Sequence, residues 1–192
     1  GTYCVAMNVN DGSVKSDAAV IKLSSAGIVL WAKVLDHGGA DGVNNIAEYN
    51  DTLLVAGYAT EDARDAIVTR LNKADGATIS AKKFSNLAGY NDEALSIEVT
   101  SDGIAFSVSM YPTSYSNSYY PYWINHFRMN NQGDITYHRR AEATIGFGAQ
   151  TETIQNRATD DKGFIDLLND TAAAGHSKCN KVGPYGQFDW GR

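Results

Sequence analysis

The chain has 192 residues, 43% hydrophobic and 20% charged, the make-up of an ordinary folded protein; this excludes a disordered chain. Its 22 acidic and 16 basic residues give a net charge of −6, with no Lys/Arg cluster to neutralise several phosphates, so no nucleic-acid partner is expected. No apolar run approaches the roughly 20 residues of a membrane helix, and Gly1, where an initiator Met would stand, is read as the start of a processed or excised chain.

The elements predicted along the chain are short strands. A strand at 2–9 opens it. Strands at 18–23 and 28–35 follow, joined by the turn Ser24-Ser25-Ala26-Gly27, then strands at 43–49 and 53–59. The same order restarts at Asp65, with strands at 65–71, 77–84, 93–99 and 103–110, and again with strands at 122–128, 134–140, 151–157 and 163–168. A last strand is expected at 177–182. Val20, Leu30, Ile67 and Ile79 belong to β-branched or apolar runs of strand length. Asp75-Gly76, Ser101-Asp102-Gly103, Gln132-Gly133-Asp134 and Asp161-Lys162-Gly163 are hairpin joints that tolerate positive φ. Helix signals are weak, since no cap and breaker frame the apolar residues of 91–99.

The turn glycines Gly27, Gly76 and Gly133 lie 49 and 57 residues apart. A period near 50 built of short strands predicts propeller blades or a similar stacked array. The expected fold is therefore all-β: one domain over 1–192, with about three four-stranded antiparallel sheets from units 17–60, 65–110 and 122–168. The terminal strands 2–9 and 177–182 complete it.

The first unit carries Asp17, Ala19, Lys22, Leu23, Gly27, Trp31, Leu35, Gly38, Gly39, Asp41 and Ile46, then Val55, Gly57 and Tyr58. The second keeps Asp65, Ala66, Arg70, Leu71, Gly76, Phe84, Asp92 and Ile97 without the Trp or the Gly-Gly; the third keeps Phe127, Gly133, Tyr137 and a loose Gly146-Phe147-Gly148. This pattern resembles the secreted β-propeller repeat family (SBBP-like repeats) over roughly residues 17–168. The resemblance implies a propeller-type fold and an extracellular or cell-surface location, and it is nearly silent on activity. Such propellers use six to eight blades. Three units would leave an arc with uncovered edges and an uncovered apolar flank.

Cys4 and Cys179 form no C-x-x-C pair. Two distant thiols in a β-rich chain point to a disulfide in an oxidising compartment, the alternative being two unrelated buried thiols. In the repeat frame, a Cys4–Cys179 bridge would join the first strand to the last, stabilising the fold by roughly 4–5 kcal/mol in the loop-entropy model.

Catalytic and metal signals are sparse, and neither enzyme activity nor a cofactor or metal is expected. His126 and His138 flank one hairpin and are read as falling diagonally on one face, half of a metal site with no further ligands at matching spacing. Asp36, His37 and Asp41 suggest acid–base work or, more simply, a Gly/Asp turn. Asn8, Asn10, Asp11, Gly12 and Ser13 loosely resemble a calcium loop but depart from its spacing. Asn50-Asp51-Thr52 and Asn169-Asp170-Thr171 are glycosylation sequons, with Asn50 expected in a turn. Tyr111, Tyr115, Tyr119, Tyr120 and Tyr122, five of eleven tyrosines, crowd one insertion. They are read as a subunit interface, a glycan platform or a loop folded on its own domain.

The expected function is a non-enzymatic extracellular structural or adhesive protein, a self-assembling protomer of a surface fibre or appendage. The competing expectation is a carbohydrate- or ligand-binding, lectin-like propeller module.

Overall fold

The computed structural model describes residues 1–192 other than 11–15, 62, 86–88, 102, 113–120, 145–150, 160–162, 171–175, 183–187 and 192. The described residues contain strands and no helix. In chain order the strands are β1 (Thr2–Asn10), β2 (Ser16–Ser24), β3 (Val29–Leu35), β4 (Ala40–Tyr49), β5 (Thr52–Thr60), β6 (Arg64–Asn72), β7 (Thr78–Phe84) and β8 (Tyr90–Thr100). They continue as β9 (Gly103–Pro112), β10 (Pro121–Met129), β11 (Ile135–Thr144), β12 (Thr151–Ala158), β13 (Phe164–Asp170), β14 (His176–Val182) and β15 (Phe188–Gly191). Each strand expected from the sequence has its counterpart; β15 is additional.

Hydrogen bonding sorts them into antiparallel sheets of consecutive strands: β1-β2-β3, β4-β5-β6-β7, β8-β9-β10-β11 and β12-β13-β14-β15. The sheets are offset from the repeat units by two strands. The first unit gives β2 and β3 to one sheet and β4 and β5 to the next. The offset arises at the loop after Leu35, where Gly38 and Gly39 adopt φ of +90° and +76° and carry the chain out of the first sheet. A Cβ on Gly39 would lie 1.5 Å from the Thr60 carbonyl oxygen, so only glycine fits this crossing.

Equivalent strands recur. β1 (TYCVAMNVN) and β5 (TLLVAGYAT) align at an offset of 50 residues, and β2 and β6 share the Asp-Ala start and the cation-Leu end. Alternation sends each strand's residues to the two faces of its sheet. Cys4, Ala6, Ala18, Val20, Trp31 and Leu35 of the first sheet pack on Val43, Ile46, Leu53, Val55 and Leu71 of the second. Its opposite face, with Leu54, Ala56, Ala66, Val68 and Phe84, packs on Ala94, Ile97, Ile104, Phe106, Val108 and Phe127 of the third. The rings of Phe84, Phe106 and Phe127 lie within 4.9–5.3 Å of one another at the centre of that core. β12 lies against β8 and β9, and Phe164 stacks on His126 at 4.2 Å.

A cation at one equivalent position ties each sheet to the next. Lys22 Nζ donates to the Lys73 carbonyl (2.8 Å), Arg70 Nη1 to the Asn131 carbonyl (3.3 Å) and Arg128 Nη2 to the Thr159 carbonyl (3.3 Å). Trp31 reinforces the first tie: its ring covers Gly76, and its Nε1–H donates to the Lys73 carbonyl at 3.2 Å.

The expected Cys4–Cys179 bridge is not formed. Cys4 is a free thiol, half-buried against the second sheet, whereas Cys179 belongs to β14 of the fourth sheet, opposite Leu167. A disulfide needs Cα atoms about 4.4–6.8 Å apart. Here each cysteine lies in its own sheet, at opposite ends of the order in which the sheets stack. β1 pairs with β2, not with the last strand, so the termini do not share a sheet.

Candidate interaction surface

The first sheet has one face on the second sheet and the other in solvent. Tyr3, Val5, Met7 and Val9 of β1 point outward, with Ile21 and Leu23 of β2 half-buried beside them and Val29 and Val34 of β3 exposed beyond. Alternation decides this: the even residues Cys4 and Ala6 take the inner side, and the odd ones follow the opposite face. Tyr3 is 62% exposed and its equivalent Leu53 1%; Val5 is 39% exposed and its equivalent Val55 2%. The second sheet buries this face under the first, and the third buries its own under the second. The first sheet has the same apolar surface and no cover among the described residues. A contiguous apolar patch of this kind marks a surface made for contact.

The edges of the sheets differ as well. β3, β4, β7, β8, β11, β12 and β15 are edge strands, and each has one extra residue in its ladder: Leu30, Asn44, Ile79, Leu95, Thr136, Ile154 and Asp189 respectively. Each of these strands also carries charge. β1 has neither feature. Its nine residues pair with β2 from Thr2↔Ser24 to Asn10↔Ser16 without a shift, and none is charged or proline. Bulges and charges are the usual guards against edge-to-edge pairing.

The residues singled out from the sequence are scattered over the fold. Tyr111 is half-buried and engaged inside the molecule. Its hydroxyl donates to Glu93 Oε1 (2.6 Å), Arg64 Nη1 donates to the Tyr111 oxygen (3.2 Å), and the Arg64 guanidinium lies 4.3 Å over the Tyr58 ring. Arg64 and Glu93 form an ion pair. Burial, with the bond to Glu93, pushes the Tyr111 phenol well above its usual pKa. This cluster joins the second and third sheets and was not visible in the sequence, because Arg64 and Glu93 meet across 29 residues. Tyr115, Tyr119 and Tyr120 lie outside the described residues; Tyr122 lies in β10 and Asn169 in β13, their side chains outside the description. Asn50 sits exposed in the β4–β5 turn with φ +52°, a conformation Asn tolerates better than most residues.

The residues considered for catalysis and metal binding make the following contacts in the fold. Register pairs His138 with Phe127 and His126 with Arg139, so the two histidines occupy opposite faces of the third sheet. His126 Nδ1 lies 3.0 Å from Ser107 Oγ, both fully buried, while His138 stacks on Phe127 at 4.5 Å and its Nε2–H donates to Asn125 Oδ1 (3.1 Å). Burial and then the Arg140 and Arg139 charges hold the His138 pKa below its usual value, favouring the neutral ring. Asp41 is buried and its Oδ2 accepts the His37 N–H (2.6 Å), which fastens the glycine crossing; His37 Nε2 lies 3.2 Å from Thr69 Oγ1. In the loose calcium motif, Asn8 Oδ1 instead accepts the Val43 N–H (2.6 Å), and 11–13 lie outside the described residues. Among the described residues no group of three or more His, Cys, Asp or Glu is placed to hold a metal, and no helix is long and apolar enough to cross a membrane.

The sequence pointed to uncovered edges and an apolar flank but not to Tyr3, Val5, Met7 and Val9 as its residues, although the signal was present: β1 alternates like β5 at an offset of 50 and, among the described edge strands, is the one without charge. No family model matches this chain, and no curated protein matches it.

Proposed function

We propose that this chain is a structural, self-assembling β-repeat protein of propeller type, a protomer of an extracellular fibre or appendage. One observation carries the reading: the uncovered apolar face of the first sheet, whose equivalents in the next two sheets are buried. In the second and third sheets, the equivalent of this face is covered by the sheet that precedes it. The matching cover for the first sheet is the fourth sheet of another copy. Such a head-to-tail contact is heterologous and propagates as a filament when it does not close. Recurring strands and sheets stacked in chain order support the propeller-type arrangement. The extracellular setting rests on the repeat resemblance, since the free Cys4 withdraws the disulfide from its support.

Sedimentation velocity over a concentration series, with negative-stain electron microscopy, tests the proposal. Concentration-dependent growth into filaments is expected, arrested by Val34→Lys, which places a charge on the exposed face. Particles that stay at protomer mass at high concentration would sink it.

A further inference from the structure

The repeat is broken at one corner of the third sheet. Aligning Arg70-Leu71-Asn72 with Arg128-Met129-Asn130 sets Asp65 against Trp123 and Ile67 against Asn125. The ladders then set Ala81 against His138 and Lys83 against Arg140. These positions share one face of their sheet. In the second sheet the corner is closed by charge, since Lys83 pairs with Asp65 at 3.4 Å and with Glu61 at 3.5 Å. In the third sheet a tryptophan stands where the aspartate stood, and the cation remains.

Arg140 is exposed, its Nε–H donates to Asn125 Oδ1 at 3.4 Å, and its guanidinium lies 5.4 Å from the centre of the Trp123 ring. Among the described residues no carboxylate pairs with it. Trp123 is half-buried, and the half-buried Tyr90 of β8 stands 5.5 Å from it. Asn125 is fully buried; its Oδ1 also accepts from His138 Nε2 at 3.1 Å, while its Nδ2 has no partner. A buried amide donor without an acceptor costs the fold and calls for a reason beyond packing. One small area thus holds a guanidinium fork without its acid, an unmet amide and a pair of aromatic rings.

We propose that this corner binds a saccharide bearing a carboxylate, a uronic-acid unit, with Arg140 gripping the acid and Trp123 lying against the apolar face of the sugar ring. An arginine fork matches a carboxylate with two parallel bonds. An amphipathic ring beside polar donors suits a sugar, whose C–H face is apolar and whose rim is hydroxyl. A peptide would bind by adding a strand, and the neighbouring edge, β11, is guarded by the extra Thr136 and by charge. The site belongs to the third sheet and asks nothing of the assembly surface on the first.

Calorimetric titration of the full chain with galacturonate and mannuronate trisaccharides, with their methyl esters and with an acidic peptide tests it. At least one free acid should bind and change the tryptophan fluorescence. Its ester keeps the ring, loses the charge and should bind about tenfold more weakly or worse. Arg140→Gln should cost about tenfold in affinity or more, and Trp123→Leu, which keeps apolar bulk without the flat ring, about fivefold. Lys83→Gln, at the equivalent place in the second sheet, should change nothing; it and Arg140 are exposed, so both variants should fold. Equal losses in Arg140→Gln and Lys83→Gln would reduce the effect to general charge and overturn the proposal. So would failure of both uronates to bind, acid and ester binding alike, or the peptide binding in place of the sugars. Glu142 stands across the ladder from Trp123; binding seen only in Glu142→Gln would give Arg140 its acid from within the chain and overturn the proposal too.

Discussion

β1 and β5 hold equivalent places in adjacent sheets and share the Thr start, the Val-Ala centre and the alternation between. Their surroundings are opposite. β5 has neighbours on both edges and both faces and is buried almost throughout; among the described residues, β1 has one neighbouring strand and one covered face. The difference teaches that strand character in this chain follows the repeat, whereas burial follows position in the stack. A sequence that would be core in the second sheet becomes contact surface in the first.

Five substitutions, in three tests, would break or sharpen this picture. The largest effect is expected at Gly57, where a Cβ would lie 1.9 Å from the Gly42 carbonyl oxygen of β4. Gly57→Ala should cost about 3 kcal/mol in urea unfolding, through overpacking of a tight strand pair. Its counterpart Met7, where no such strand approaches, should accept Ala with a change of about 0.5 kcal/mol or less in the isolated protomer. Equal costs at the two sites would show that β1 is not open. Leu53→Ala is of similar size, at about 3 kcal/mol for a fully buried leucine, against about 0.5 kcal/mol for Tyr3→Ala. A costly Tyr3→Ala at protomer concentration would mean that the outer face is covered. The smallest effect concerns pH. Burial raises the Asp41 carboxyl above its usual 3.8, against the His37 N–H bond that opposes the shift. Between 3.8 and the raised value, the native state holds a proton that the unfolded chain releases, so this group's contribution to stability falls as pH rises through that window. Asp41→Asn keeps an acceptor for His37 and should remove that slope, leaving the variant gaining on the parent from acid toward neutral pH. Parallel stability curves would show that Asp41 is not desolvated.

Strand existence was legible because alternation and turn glycines act locally. β15 escaped because four residues around Trp190 are too few for a periodic signal. The phase of the repeat was not legible: a period gives the length of the unit, not the point where one sheet ends. That point is set by the conformation of Gly38 and Gly39 and by the buried Asp41 that fastens them. The placement of His126 and His138 turned on a single residue of register, which the Asn130–Gly133 turn and the extra Thr136 decide. Cys4 and Cys179 looked like a pair because a chain read as a line has two ends, whereas the fold puts them in separate sheets. The contact surface was hardest to find, since Val5 and Val55 are the same letter in the same pattern.

The cation ties from each sheet to the next all run toward the C-terminus. Trp31 and Lys22 find their common acceptor at Lys73, 42 and 51 residues downstream. During synthesis these two bonds cannot form until the turn at Lys73 has been made, so each sheet is fastened by chain that is made after it.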